Sequence, residues 1–575
     1  MPKQKTNTKK QPALKKKQGY STSEMKEWKW LDYTTYFLLA GLILLVYIIR
    51  SNFFETPFER DEGDYFYLGK LILDGKVPYI DFYEQKLPGL FYSYSLIIRL
   101  FGYSLRAAHI GFLCINILTI VILYLIGNKL FNKITAIITA FSFAILSLTP
   151  QMSGFTTQSE HLVIFFASGG FLALIYALKD QKYWYLYPLA GLLICYSFLI
   201  KQSAIFFILA GGITVLIHFL TQKPIQWKIL IKSVLLYSAG VFLMYGIIIL
   251  ALYRQNALSE MWYWTIKYAG NYVSAMPLKE GLKHFSNIWK LITADYALFW
   301  VLAGLGMIAV LFTKKSRSFK IIIWIIAILS CLTIIPGLYF YGHYFLMLTP
   351  ILAVLMGISF YSVSDLLKGK INPNYLNLSL LLIFMFIAAG HLKSQEQYYF
   401  KPGRTKLLRQ VYGMNPFPES KIVGDFIKMH TEKNDLIAVL GSEPEIYVYA
   451  DRRCASKHHY ITFLMGDTIK FPMNKTYQKE FIHDIETKKP KYLIYYKHYV
   501  SWLRNPAFER SIDNWFTDFS NKNYKLVGIA DMVSPEQTNY IWYDEVGKYK
   551  PLGEFLIGVF EINQASANTQ LPNQN

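Results

Sequence analysis

The sequence predicts a polytopic α-helical membrane protein with about eleven transmembrane helices and a C-terminal α/β domain. Three observations carry that expectation. Apolar runs of about 17 to 25 residues, the length that spans a bilayer, recur between positions 31 and 391. Hydrophobic residues make up 53% of the 575 and charged residues only 17%, with a mean hydropathy of +0.25. Beyond 391 the pattern shifts to short alternating strand and helix signals. Disordered and collagen-like classes are excluded, because 44 tyrosines, 41 phenylalanines and 12 tryptophans demand burial in protein or lipid.

Residues 1–30 form a basic tail, with nine lysines against two acids, among them Lys3, Lys5, Lys9, Lys10 and Lys15. Part of the net charge of +21 resides there. Such a tail holds its end in the cytoplasm and attracts anionic lipid. Nucleic-acid binding is not expected, since aromatic interleaving and a folded motif are missing. A cleavable signal peptide is not expected either, because no small-residue cleavage site follows the first apolar run.

The spans fall near 31–50, 107–126, 134–150, 161–178, 183–200, 203–220, 229–253, 297–313, 319–336, 343–362 and 375–391. With the N-terminus inside, alternation leaves 127–133, 179–182, 221–228, 314–320 and 363–374 in the cytoplasm. Each of those loops carries at least two lysines or arginines, with Lys314, Lys315, Arg317 and Lys320 in the richest. Two long outer loops remain, 51–106 and 254–296. An odd number of spans puts 392–561 outside as an α/β domain, with a helix at 419–430 and strands at 435–440, 491–496, 524–530, 538–543 and 555–560. The Asn/Gln-rich tail 562–575 is expected to be disordered. Cys114, Cys195, Cys331 and Cys454 are too scattered for a disulfide framework or a CxxC metal site. P-loop, GxGxxG and HExxH motifs and internal repeats are absent from the sequence.

The first outer loop is acidic, holding Glu55, Glu59, Asp61, Glu62, Asp64, Asp74, Asp81 and Glu84. Its segments 64–74 and 89–101 are too short to span and are expected to lie along the outer leaflet. Asp61, Glu62 and Gly63, followed by Asp64 and Tyr65, stand just past the first span. There a carboxylate can meet a hydroxyl arriving from outside and a lipid head group from the leaflet, the position a general base needs. Helix capping by Asp61 or Asp64 accounts for the same residues without chemistry.

Farther on come Gly75-Lys76-Val77-Pro78-Tyr79-Ile80-Asp81 and Glu84-Gln85-Lys86-Leu87-Pro88-Gly89. An acidic pair after the first span, a G-x-x-P-Y-x-D run and a K-x-P run resemble the membrane glycosyltransferases of the GT-C class. That class includes the protein O-mannosyltransferases, the lipid A aminoarabinose transferases and bacterial relatives with a rhizobial-lipopolysaccharide-transferase-like domain. Ser159-Glu160-His161 resembles their second-loop acid, although many relatives have Asp where Glu160 stands. Phe198 to Gln202, with Lys201, resembles their K-Q motif, and Tyr341-Gly342-His343-Tyr344 with Pro350 their H-Y…P motif. Asn415 to Glu419, Gly441 to Tyr447 and Asp451 to Arg453 are similar to the outer domain of bacterial members. The likeness covers about 55 to 460.

The resemblance implies inverting transfer of a sugar from a polyprenyl-phosphate donor to an extracytoplasmic acceptor: a glycolipid, a polysaccharide or a protein. Asp61 is then the base, Glu62 orients the loop, and Glu160 is the second acid. Lys86, Lys201 and His343 bind the donor phosphate, since charge left beside an apolar span marks a ligand path. Asp64, Tyr65, Asp81, Tyr341 and Tyr344 are substrate-binding candidates. Snorkelling explains Lys86 and Lys201 equally well, a core histidine explains His343, and an interfacial aromatic belt explains the tyrosines. Members of the class differ in their use of a divalent cation. If one binds here, Asp61, Glu160 and His161 are its candidate ligands, and no other cofactor is expected. Lys457-His458-His459 reads as a solvated loop, because adjacent histidines on a strand face opposite ways.

A transporter or lipid flippase is the alternative reading of eleven spans with buried charge. It predicts inverted halves and broken mid-membrane helices, whereas the polar residues here gather on outer loops. An assembly subunit that has kept the fold without the chemistry is a third possibility.

Overall fold

The computed structural model describes residues 29–465, 473–502 and 511–563. The basic tail up to residue 28 and the end from 564 lie outside the described residues. Each of the eleven apolar runs is helical. Among the described residues, seven helices are long and apolar enough to cross a membrane, and a pair bent by 103°, Leu278–Ala294 and Ala297–Phe312, makes an eighth if taken together. The bundle opens with α1 (Lys29–Ser51), α2 (Arg60–Leu73), α3 (Gly89–Phe101), α4 (Leu105–Leu130) and α5 (Lys133–Leu146). It continues through α6 (Ser159–Lys179), α7 (Leu186–Ile200), α8 (Ile205–Leu220) and α9 (Trp227–Arg254). Helices α3, α5 and α7 are apolar but shorter than a full span.

The lysine-rich loops meet at one end of the bundle. There the Lys179 ammonium donates to the Lys129 carbonyl and Lys315 Nζ to the Leu130 carbonyl at 2.7 Å. The Lys314 amide donates to Asp365 at 2.8 Å. The end of α1 meets the chain after α5 at the other end, where Arg50 donates to the Gly154 and Ser147 carbonyls at 3.2 and 3.3 Å.

The C-terminal domain sits at that second end around a mixed six-stranded sheet of order β2-β1-β3-β6-β4-β5. Its strands are β1 (Leu436–Leu440), β2 (Arg453–Cys454), β3 (Tyr492–Lys497), β4 (Tyr524–Met532), β5 (Thr538–Trp542) and β6 (Phe555–Ile562). β1 runs parallel to β2 and β3, while β6 pairs antiparallel with β3 and β4, and β5 with β4. β1 is almost wholly buried and reads as an unbroken apolar run, as a strand covered on both faces should.

Helix α2 departs from the expected interfacial placement. Nine of its residues, from Glu62 to Leu71, are buried, because the C-terminal domain lies against it. A Cβ on Gly63 would sit 2.4 Å from the Glu445 Cβ, so only glycine lets the helix Glu445–Ala450 cross at this distance. Arg60 locks the contact by donating to the Ser442 carbonyl at 2.5 Å and pairing with Glu443 at 3.1 Å. Tyr67 stacks on Tyr447 with ring centroids 4.9 Å apart. Helix α3 keeps an exposed apolar edge, at Leu96, Leu100 and Phe101.

Candidate active site

Helix α2 begins with a capping box built from glutamates. Glu59 accepts the Glu62 amide at 2.9 Å, and Glu62 accepts the Glu59 amide at 3.0 Å. Glu62 also accepts the Thr157 hydroxyl at 2.7 Å and the Thr157 amide. Buried and saturated, it ties α2 to the segment just before α6 and lines neither of the two cavities described below. Capping also falls to Glu59 rather than to Asp61 or Asp64. Burial pushes Glu62 up to about 7, against the lowering effect of these hydrogen bonds.

Asp61, one residue away, turns outward. It lines a polar cavity of about 350 Å³ together with Asp64, Tyr65, Glu84, Lys86 and His343. Among the described residues no hydrogen bond or ion pair engages its carboxylate. Tyr341 and Tyr344 also line this cavity. The close approach at Gly342, where a Cβ would meet the Gln151 carbonyl oxygen at 1.9 Å, lets the segment before helix Thr349–Leu366 press against the loop after α5.

A second cavity, of about 360 Å³, adjoins the first. Gln85, Lys86, Tyr272 and Tyr344 line both. The rest of its wall is mostly aromatic and aliphatic, with Phe198, Tyr245, Trp262, Ile266 and Val273, and Lys201 stands in it. The Gln202 side chain donates to the Gln85 carbonyl at 2.7 Å, which holds the Lys86 loop against the corner carrying Lys201. Lys86 has no ion pair among the described residues. Lys201 pairs with Glu160 and lies 3.7 Å from the Tyr344 ring centroid. His343 Nε2 stands 3.9 Å from the same Glu160 carboxylate. Glu160 is therefore fully buried beneath two basic side chains and lines neither cavity; it positions Lys201 rather than facing a substrate. A further cavity, of about 530 Å³, lies within the bundle towards Lys179, His218 and Gln222, and no carboxylate lines it among the described residues.

Two other expected residues lie elsewhere. Asp81 closes its own turn, accepting the Val77 amide at 2.7 Å and facing Lys76 at 3.7 Å, outside both cavities. His161 packs its ring against Phe112 in the bundle, about 100° around the helix from Glu160. Asp61, Glu160 and His161 thus form no ligand group among the described residues.

One cluster escaped the sequence reading. His459 is buried, not solvated, and its Nε2 meets Asp64 Oδ1 at 2.7 Å. His458, on the opposite face, meets Glu480 at 3.0 Å. Glu84 completes a group with Asp64 and His459. Burial pushes both Asp64 and Glu84 up to about 8 and His459 down to about 4, so all three resist charge. The sole sequence signal was the His458-His459 pair, which carried no hint of its distant partners.

Residues 85–253 match the dolichyl-phosphate-mannose-protein mannosyltransferase family. No curated protein sequence matches the chain. The oligosaccharyltransferase of Archaeoglobus fulgidus in its apo form superposes with a TM-score of 0.53 at 13% identity, over 90% of this chain and 75% of that one. Its complex with an inhibitory peptide and a dolichol-phosphate gives 0.50 at 14% identity, over 94% and 77%. ArnT of Cupriavidus metallidurans bound to undecaprenyl phosphate gives 0.53 at 11% identity, over 94% and 99%. The chain therefore has the GT-C fold of integral membrane glycosyltransferases.

Proposed function

We propose that this chain transfers a sugar from a polyprenyl-phosphate carrier to an acceptor outside the cytoplasmic membrane, with inversion at the anomeric carbon. The observation that carries the reading is the pairing of the two cavities. One offers an unengaged carboxylate, Asp61; the other offers an apolar wall for a prenyl chain; Lys86 stands in both. The likeness to ArnT bound to undecaprenyl phosphate supports a donor of that class.

In this reading the carrier phosphate lies at the junction, facing Lys86 and Lys201, with its prenyl tail along Phe198, Tyr245 and Ile266. The sugar projects into the polar cavity. Asp61 takes the proton from the acceptor hydroxyl as its oxygen bonds to the anomeric carbon from the far face, and the bond from that carbon to the phosphate oxygen breaks. The cations stabilise the negative charge that the departing phosphate gains. His343 and Tyr344 hold the Glu160–Lys201 pair in place. The lysine-rich loops at the opposite end of the bundle support a cytoplasmic placement for that end and an extracytoplasmic one for the site.

Purified wild-type protein and Asp61→Asn, supplied with membrane-extracted polyprenyl-phosphate sugars and envelope acceptors, test the assignment. The variant should bind carrier phosphate normally and fail to transfer. Wild-type turnover in Asp61→Asn overturns it.

A further inference from the structure

We infer that the helix Leu278–Ala294, in the outer loop after α9, docks anionic phospholipids of the outer leaflet through a stripe formed by Lys279, Lys283 and Lys290. The helix turns by 103° into Ala297–Phe312. With that second helix entering the bundle, the first lies near the membrane plane, where amphipathic helices bind. The inference shares with the proposed function the placement of this end of the bundle outside, and it does not need the sugar transfer.

At about 100° per residue, the helix divides into three stripes. Gly281, Phe285, Ile288 and Ile292 face the protein. A Cβ on Gly281 would sit 2.7 Å from the Leu338 Cβ, Phe285 meets the Phe340 ring with centroids 5.1 Å apart, and Ile292 is buried. Next around the helix come Leu278, Leu282 and Trp289, apolar and yet exposed. Trp289 also meets Trp300 of the following helix with centroids 4.8 Å apart, and tryptophans gather at the membrane–water boundary. The lysines follow, within an arc of about 40° and over a length of about 16 Å.

This order is the one an interfacial helix needs: an apolar flank for the acyl region and, about a quarter turn away, cations at the level of the phosphates. All three lysines are exposed, and among the described residues none of them makes an ion pair. Lysines on an outer loop also run against the positive-inside bias, so a merely solvated face leaves their alignment unexplained. Ile288 lines the polar cavity, and Tyr272, earlier in the same loop, lines both cavities. Lipid held on the stripe therefore fastens a loop that walls the candidate active site.

The test maps lipid contacts on full-length protein in phosphatidylcholine nanodiscs. Photoactivatable phosphatidylglycerol or phosphatidylcholine is the probe, and mass spectrometry of labelled peptides is the readout. Peptides from 278–294 should take up the phosphatidylglycerol probe about tenfold or more over the phosphatidylcholine probe. About 1 M salt should weaken that preference, because the screening length falls to about 3 Å. The triple variant Lys279→Gln, Lys283→Gln, Lys290→Gln should lose the preference at an unchanged melting temperature, since the three side chains are exposed. Arginine at the same three positions should keep it. Equal labelling by both probes in wild type, or a preference that survives in the glutamine variant, would overturn the inference. Labelling by a photoactivatable acidic glycolipid, with phosphatidylglycerol inert, would give the stripe to another occupant and overturn it as well.

Discussion

The two adjoining cavities are nearly equal in size, about 350 and 360 Å³, yet their walls differ in kind. First-loop carboxylates, His343 and tyrosines drawn from several segments surround one; aromatic and aliphatic side chains with Lys201 surround the other. Lys86 and Tyr344 sit on the shared wall. Under the proposed function, the contrast teaches how a membrane enzyme can do without a nucleotide-binding fold: the apolar cavity would take the carrier, the polar one the proton transfer, and the reacting bond would lie where they touch.

If that division holds, the largest effect belongs to Asp61. Asp61→Asn should lower transfer by about 10²- to 10⁴-fold, the range for losing a general base, with polyprenyl-phosphate affinity unchanged in a lipid-binding assay. Next comes the apolar side. Lys86→Ala should weaken polyprenyl-phosphate binding by about tenfold or more, the scale of a hydrogen bond to a charged group, and leave acceptor KM unaltered. Equal losses for donor and acceptor would erase the distinction between the cavities.

Lys201 needs a paired change, since removing it alone strands a buried Glu160 at a cost of about 3–5 kcal/mol. Lys201→Met with Glu160→Gln should restore thermal stability relative to Lys201→Met while donor binding stays weak. A merely structural pair would regain donor binding along with stability. Smaller still is Glu62→Gln, expected to cost about 0.5–2 kcal/mol through the helix cap, read as a lower melting temperature with transfer retained in the folded fraction. Asp81→Asn should stay within about 0.5 kcal/mol of wild type by the same melt and leave both binding steps alone.

The bundle was legible because lipid forces the backbone into long apolar helices, so spacing in the sequence is already architecture. The five main strands were legible too, since each is a short β-branched or aromatic run between turns. Adjacent acids were harder. Asp61 and Glu62 look equivalent in the sequence, and only the capping box with Glu59 decides which one turns inward. That box begins with Glu rather than the usual Ser or Thr, so it gave no familiar signature. Helix α2 seemed interfacial because its partner surface, around Glu445 and Tyr447, lies in another domain. His459 failed for the same reason: local periodicity assigns a face to a residue but not the element that covers it.

The most direct test of the division between the cavities is mass spectrometry of envelope glycolipids and glycans from a deletion strain complemented with equal membrane levels of wild type, Asp61→Asn or Glu62→Gln. Wild type and Glu62→Gln should restore the missing glycosylated species, and Asp61→Asn should match the uncomplemented strain. Restoration by Asp61→Asn would contradict the assignment of the proton-accepting carboxylate and, with it, the catalytic role of the polar cavity.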